Sequence, residues 1–197
     1  APELKGKGFS YRSPIVHLRQ LFDLYIALRP CKAYPGNPLN YREDINLVVF
    51  RENTEGLYSG IEFYPVPDEV RTVLEKHGSQ MRLFKNVPSE EMAIGLRVIT
   101  QKGGQRIIRA AFEHAQKFGY PKVTLVEKPN VLRETSGLMI QEGKRVASEF
   151  PGIKLEMTNI DAQMMWLLKN PRDYGVLVTS NLFGDILSDL ASQLVGG

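Results

Sequence analysis

An α/β fold built around a largely parallel sheet is what this 197-residue sequence predicts. Short apolar runs of strand length alternate with segments of helical periodicity, the pattern of β-α-β units. Polar residues cluster directly after three of those runs, at Arg51 to Tyr58, Lys128 to Asn130 and Asn181 to Asp189. In a parallel sheet that position is the carboxyl edge, where ligands gather.

The elements follow in order. APELKGKGFSYRS at the start is rich in Gly and Lys and has no period. Residues 14–29 carry Ile15, Leu18, Phe22, Tyr25 and Ile26 at helical spacing, which predicts a helix ending near Pro30. After the turn-rich YPGNPLNYRED, INLVVF (45–50) predicts a buried strand, with RENTEG as the loop that leaves it. Pro65, Pro67, Gly78 and Pro88 break up residues 61 to about 92, so an irregular excursion that could form an arm is expected there. AIGLRVIT (93–100) predicts a strand, and Ile107, Ile108, Ala111 and Phe112 predict an amphipathic helix over 104–118. VTLVEK (123–128) is a strand, 132–149 a helix, KLEM a short strand, 161–169 a helix and GVLVTS a strand. DILSDLASQLV is a final helix stopped by Gly196-Gly197.

Composition excludes several classes. The balance of 25 Lys+Arg against 22 Asp+Glu gives a net charge of +3, without the basic patch a nucleic-acid partner needs. No apolar stretch reaches the roughly 18 residues of a membrane span, so a soluble protein without membrane partners is expected. Cys31 is the only cysteine, which excludes an internal disulfide and suits a reducing compartment, with Cys31 as a packing residue. His17, His77 and His114 are scattered without metal-ligand spacing.

Several polar residues are candidates for chemistry. Asp185 and Asp189, at i and i+4, share one helix face, and two carboxylates so close suit a hard cation such as Mg²⁺ or Mn²⁺. The plain alternative is a carboxylate at the helix N-terminus and a solvated surface acid. Asp161 reads by itself as a helix N-cap, and only the company of the other acids makes it a ligand candidate. Arg19, Arg29 and Arg51 offer guanidinium forks to carboxylates, or are surface arginines. Lys128 closes a buried strand, where desolvation favours a general base, and Tyr58, in the loop after Arg51, could supply a proton; a snorkelling lysine and a loop tyrosine are the alternatives.

Four segments carry a resemblance. LRQLFDLYIALRP (18–30), VVFRENTEGLYSGIE (48–62), VTLVEKPNVL (123–132) and NLFGDILSDLASQLVGG (181–197) resemble, in this order, signature segments of the isocitrate/isopropylmalate dehydrogenase family. FRENTEGLYSG and GDILSD together are highly specific. The resemblance implies a small, dimer-forming domain with a protruding arm at about 61–92, residues 1–22 being a remnant of the large domain and 23–197 the substrate- and metal-binding unit. The family's Gly-Asp-Gly-Ile-Gly-Pro loop and its His-Gly-(Ser/Thr)-Ala-Pro loop do not occur, so most of the cofactor domain is expected to be absent. It implies that Arg19, Arg29 and Arg51 clamp the substrate carboxylates and that Ser13 touches substrate. Tyr58 and Lys128 would be the acid/base pair, Lys128 acting across the boundary between protomers, with Asn130 beside the nicotinamide. Asp185 and Asp189 would bind metal from one protomer and Asp161 from the other. The implied activity is NAD- or NADP-dependent, Mg²⁺- or Mn²⁺-dependent oxidative decarboxylation of a 2-hydroxy acid in a homodimer with shared sites. RENTEG resembles isocitrate or homoisocitrate members better than isopropylmalate members, while Ile15 stands where many isocitrate enzymes have an asparagine; isocitrate is the expected substrate, with isopropylmalate, homoisocitrate and tartrate as the alternatives. The cytoplasm or mitochondrial matrix is the expected compartment. A non-catalytic, dimer-forming module is the expectation from another class.

Overall fold

The computed structural model describes residues 14–197. Helix α1 (Pro14–Leu21) leads into strand β1 (Ile26–Lys32), followed by β2 (Asn46–Glu52), β3 (Gly56–Phe63), α2 (Asp68–His77), β4 (Ile94–Val98) and α3 (Gln101–Phe118). Then come β5 (Lys122–Glu127), α4 (Arg133–Ala147), β6 (Lys154–Asn159), α5 (Ile160–Lys169), β7 (Val176–Thr179) and α6 (Asn181–Gln193). Five strands form one sheet in the order β1-β2-β7-β5-β6, and β3 pairs with β4 as a separate antiparallel ribbon. Strands β2, β7, β5 and β6 are parallel, and β1 closes one edge antiparallel to β2.

Helices cover both faces, which is why the central strands read as unbroken apolar runs rather than alternating ones. One face packs Val48, Phe50, Val123, Leu125, Val176 and Val178 against Ile107, Ile108, Ala111 and Phe112 of α3 and Met139 and Val146 of α4. The other packs Cys31, Leu47, Val49, Val126 and Leu177 against Leu167 of α5 and Leu187 and Ala191 of α6. Alternation along β2 therefore aims Arg51 at the α5/α6 face, and alternation along β5 aims Lys128 there too while Glu127 faces α3 and α4. Cys31 packs as expected: it is buried, and burial pushes its thiol pKa up.

Local chemistry fixes the helix ends. Thr100 caps α3, its hydroxyl accepting the Gly103 amide at 3.0 Å, and Gly119 ends that helix at φ +74°, a left-handed stop that favours glycine.

Three sequence expectations need correction. The helix predicted over 14–29 ends at Leu21; Asp23 turns the chain at φ +47°, Tyr25 leads into strand β1 and Ile26 opens it, so neither belongs to the helical stripe they extend. Pro30 is therefore a strand residue, tolerated because β1 lies at the sheet edge, and Arg29 stands on that strand, not at a helix end. Tyr58 lies inside β3, not in a loop. The stretch 61–92 is partly ordered: β3 runs to Phe63, α2 follows, and 3-10 turns span Ser79–Phe84 and Ser89–Glu91. Ser13 lies outside the described residues.

Candidate active site at the carboxyl edge of the sheet

The RENTEG turn is built by its own side chains. Glu52, buried at the end of β2, folds back to accept the amides of Thr54 at 2.9 Å and Glu55 at 2.8 Å. Asn53 donates to the Leu24 carbonyl at 2.9 Å, and Gly56 opens β3 at φ +80°. The tight turn returns the chain over the sheet edge and brings Tyr58 above Arg51.

Arg51, 2% exposed, is the pivot. Its Nε donates to Asn181 Oδ1 at 2.9 Å, and its Nη1 pairs with Asp185 Oδ1. The Tyr58 hydroxyl donates to the other oxygen of the same carboxylate, and the guanidinium lies over the Tyr58 ring, 5.0 Å from its centroid. Asn181 in turn donates to the Glu55 carbonyl at 3.2 Å, tying α6 to the turn. The hydrogen bond to Asp185 holds the Tyr58 phenol above the usual tyrosine range, reinforced by burial and the carboxylate charge and opposed by Arg51. Tyr58 thus stays a proton donor over a wider pH range.

Glycine is required beneath this cluster. A Cβ on Gly184 would stand 2.6 Å from Arg51 Cγ and 2.7 Å from its Cβ, so only a hydrogen at that position lets α6 approach β2 closely enough for Asn181 and Asp185 to reach the guanidinium.

Arg29 pairs with Val49, two residues along from the Ala27 and Arg51 pair, so Arg29 and Arg51 are diagonal neighbours on one face, about 7–8 Å apart. Arg29 is exposed and Arg19, in the last turn of α1, is half-buried. Among the described residues, neither Arg19 nor Asn130 hydrogen-bonds to the Arg51 cluster.

A second pair stands at the same edge. Lys128 Nζ lies 2.6 Å from Asp161 Oδ1, with the lysine side chain 20% and the aspartate side chain 65% exposed. The Lys128 hydrogen bond holds the Asp161 carboxyl below its ordinary value, helped by the amides of its own helical turn. Asp161 is the second residue of α5 and Asn159 the cap position, so the N-cap reading of Asp161 does not hold. Nor is Asp185 a first-turn carboxylate, because α6 begins at Asn181. Lys128 lies two strands from Arg51 and two residues past the level of the in-register Val126, Thr179 and Arg51, a backbone separation on the order of 10 Å.

Asp189 is exposed, one turn beyond Asp185 and about 40° further toward solvent. No group of three His, Cys, Asp or Glu side chains converges among the described residues. The donor set still suits Mg²⁺ or Mn²⁺: two hard carboxylates on one helix face match a cation that takes its other oxygens from water, substrate or a third acid. Cavities of 390 Å³ at the amino edge, lined by Gly119 to Pro121 and Phe150 to Ile153, and of 410 Å³ beside α4 contain no such acid/base cluster.

Sequence reading missed three contributors. Asn181 orients Arg51, and its signal is its place at the head of the polar cluster that follows β7 at the carboxyl edge. Arg97 and Glu127 form a buried ion pair at 2.9 Å, signalled by charges set within or at the end of apolar runs.

The family model for isocitrate/isopropylmalate dehydrogenase matches residues 1–197. The chain is 41% identical over 190 residues to the 3-isopropylmalate dehydrogenase of Methanothermobacter thermautotrophicus, covering 96% of this chain and 50% of that protein. It is 38% identical to an NAD isocitrate dehydrogenase catalytic subunit of Arabidopsis thaliana, 98% of this chain against 44% of that one. The solved isocitrate dehydrogenase of Methylococcus capsulatus superposes with a TM-score of 0.80 at 43% identity, over 96% of this chain and 50% of that one. The chain thus spans about half the length of these relatives. With the fold, the ordered motifs and the whole-length match agreeing, the chain belongs to the isocitrate/isopropylmalate dehydrogenase family.

Proposed function

We propose that this chain is the substrate- and metal-binding part of an NAD(P)-dependent decarboxylating dehydrogenase acting on isocitrate or a closely related 2-hydroxy acid. The observation that carries the reading is the cluster in which Arg51, Tyr58 and Asp185 meet on the face and edge that Lys128 also occupies. Arg51 and Arg29, with Arg19 and Ser13, would bind substrate carboxylates; paired guanidinium groups suit a polyanion better than lysines do. Lys128 would take the 2-hydroxyl proton as the carbon is oxidised, and Tyr58, held neutral by Asp185, would return a proton to carbon after CO₂ leaves. Asp185 and Asp189, with Asp161 from a second copy, would hold Mg²⁺ or Mn²⁺, which supplies charge stabilisation for the developing enolate. Asn130, exposed in the turn after Lys128, would face NAD or NADP.

A homodimer fits the outer faces of α5 and α6, where Met165, Trp166, Leu168 and Ile186 stand exposed at 65%, 42%, 45% and 48%, an apolar surface of the kind protomers cover. Helix α1 buries none of its residues, which supports assigning residues 1–22 to a separate large domain and 23–197 to the small one, with 61–92 as its arm. The buried Cys31 suits the cytoplasm or a mitochondrial matrix.

Relatives include regulatory as well as catalytic isocitrate dehydrogenase chains, a mitochondrial NAD isocitrate dehydrogenase regulatory chain of Dictyostelium discoideum being 36% identical. A non-catalytic module is therefore the second reading, and the intact acid/base set at Tyr58 and Lys128 favours the first. The test is a panel assay of the longest native polypeptide containing this sequence, with isocitrate, isopropylmalate, homoisocitrate and tartrate, each with Mg²⁺ or Mn²⁺ and NAD or NADP. Metal-dependent reduction of the nucleotide with one of these acids is expected. A dimer by sedimentation without turnover on any of them overturns the catalytic reading.

A further inference from the structure

A buried ion pair on the far side of the sheet from Tyr58 and Lys128 ties together the segments that carry them. The Glu127 carboxylate, 1% exposed, accepts Arg97 Nη2 at 2.9 Å, the Ser136 hydroxyl at 2.6 Å and the Ser180 amide at 3.2 Å. Arg97 also donates to the Thr135 hydroxyl at 2.9 Å, the Ser136 hydroxyl at 3.1 Å and the Ser180 hydroxyl at 2.8 Å, and its guanidinium lies 5.1 Å from the Phe183 ring centroid. The Lys128 amide donates to Ser136 at 3.3 Å.

Each partner belongs to a segment that carries a site residue or abuts one. Arg97 is on β4, whose partner strand β3 holds Tyr58. Glu127 is covalently next to Lys128. Ser180 is the N-cap residue of α6, one turn before Asp185, and Thr135 and Ser136 open α4. Burying a charge pair costs desolvation, so ordinary hydrophobic packing would stabilise the fold as well or better. What the pair adds is geometry: two planar forks with fixed directions, meeting three helix and strand ends at once.

We infer that Arg97 and Glu127 are positioning residues that set Tyr58, Lys128 and Asp185 relative to one another at the carboxyl edge. This rests on the reading of those three residues as the working groups. It requires that loosening the pair, whose side chains hydrogen-bond to none of theirs among the described residues, loosens the Tyr58 to Asp185 hydrogen bond.

The test uses Glu127→Gln and Arg97→Met in the longest native polypeptide, with Glu142→Gln as control. Glu142 is an equally buried carboxylate, paired to Arg145 on α4 away from the edge. Tyrosine Cζ labelling and NMR at neutral pH, with Tyr58 assigned by its loss in Tyr58→Phe, read the Tyr58 Cζ shift, which reports its hydrogen bond to Asp185. Both positioning variants should move that shift toward the value of a tyrosine without the bond. Turnover should fall roughly ten- to hundredfold with the Michaelis constant for the acid changed far less, since small misplacements act on the chemical step. The control should lower stability and leave both readouts alone. An unmoved Tyr58 Cζ shift in both positioning variants, or an equal change in Glu142→Gln, overturns the inference. Lack of wild-type turnover would count against the proposed function alone, because the Tyr58 spectrum needs no turnover.

Discussion

Replacing Asp185 with asparagine tests the cluster at its hinge. The side chain keeps its shape but loses the charge that Arg51 pairs with and the second acceptor that Tyr58 donates to. Removing one member of a fully buried pair costs about 3–5 kcal/mol. Here the Arg51 side chain is 3% exposed but that of Asp185 is 33% exposed, and Asn181 still holds the guanidinium at 2.9 Å. Solvent and the remaining partner offset much of the loss, leaving about 1–2 kcal/mol. For a chain of this size that is a fall in Tm of about 2–8 °C. The sign of the pH effect follows from Tyr58. Its folded pKa is raised above the ordinary 10.0, so its contribution is complete below that value and disappears as pH rises through the folded pKa. Asp185→Asn should remove that alkaline limb and let Tyr58 titrate lower, pulled down by Arg51. Calorimetric Mn²⁺ titration completes the assay: binding should be lost in the variant, and in wild type Mn²⁺ should itself lower the Tyr58 midpoint by drawing on the shared carboxylate. An unchanged Tm and Tyr58 midpoint would refute the described geometry, while unchanged Mn²⁺ affinity would refute the metal assignment.

Gly184→Ala should cost about 1–3 kcal/mol in urea denaturation, because the added methyl collides with the Arg51 stem and its backbone at 3.1 Å; a neutral result would mean that α6 need not approach β2 so closely. Glu156, drawn below its ordinary 4.5 by Lys122 at 2.7 Å, contributes stability that is present above that value and lost as pH falls through its lower folded pKa. Glu156→Gln should therefore lower stability at neutral pH by about 0.5 kcal/mol and converge with the wild type in acid, flattening that side of the curve, as scanned by thermal melts between acid and neutral pH.

The elements legible in the sequence are those whose burial pattern is simple. α3 shows its stripe because Ile107, Ile108, Ala111, Phe112 and Ala115 all face one core, and β7 reads as a strand because Val176 to Thr179 are covered on both sides. The 14–29 segment misleads because Tyr25 and Ile26 continue a helical spacing by coincidence, while the break lies in Asp23, whose left-handed backbone has no periodic signature. β3 hides for another reason: its two-stranded ribbon leaves most residues partly exposed, so Gly56–Phe63 shows neither a buried run nor clean alternation. At the site, residue types and spacing offer Arg51, Tyr58 and Asp185 only as candidates and the family resemblance singles them out, yet nothing local says that one carboxylate serves both of the others. Such pairings, like Arg97 with Glu127, join positions far apart in sequence and exist only after the sheet order is set.

That order leaves each of two acids assigned to metal, Asp161 and Asp185, holding a cation of its own chain. On the proposed reading this arrangement is an exchange. While Lys128 stays paired to Asp161 at 2.6 Å, its Nζ is directed at that carboxylate rather than at a substrate hydroxyl. Engaging Asp161 with a divalent ion at a neighbouring copy's site would free Lys128 Nζ to reach a substrate, so assembly and placement of the base would be one event. The measurable consequence needs no substrate: Asp161→Ala should raise the rate at which Lys128 is acylated by a limiting amount of an amine-directed reagent. Because Asp161 is largely exposed, the gain is modest, about two- to threefold. Mass spectrometry of the Lys128 peptide, normalised to the exposed Lys154, reads it directly. An unchanged ratio would show that the pair does not restrain the lysine, and Lys128 would then need another source of activation.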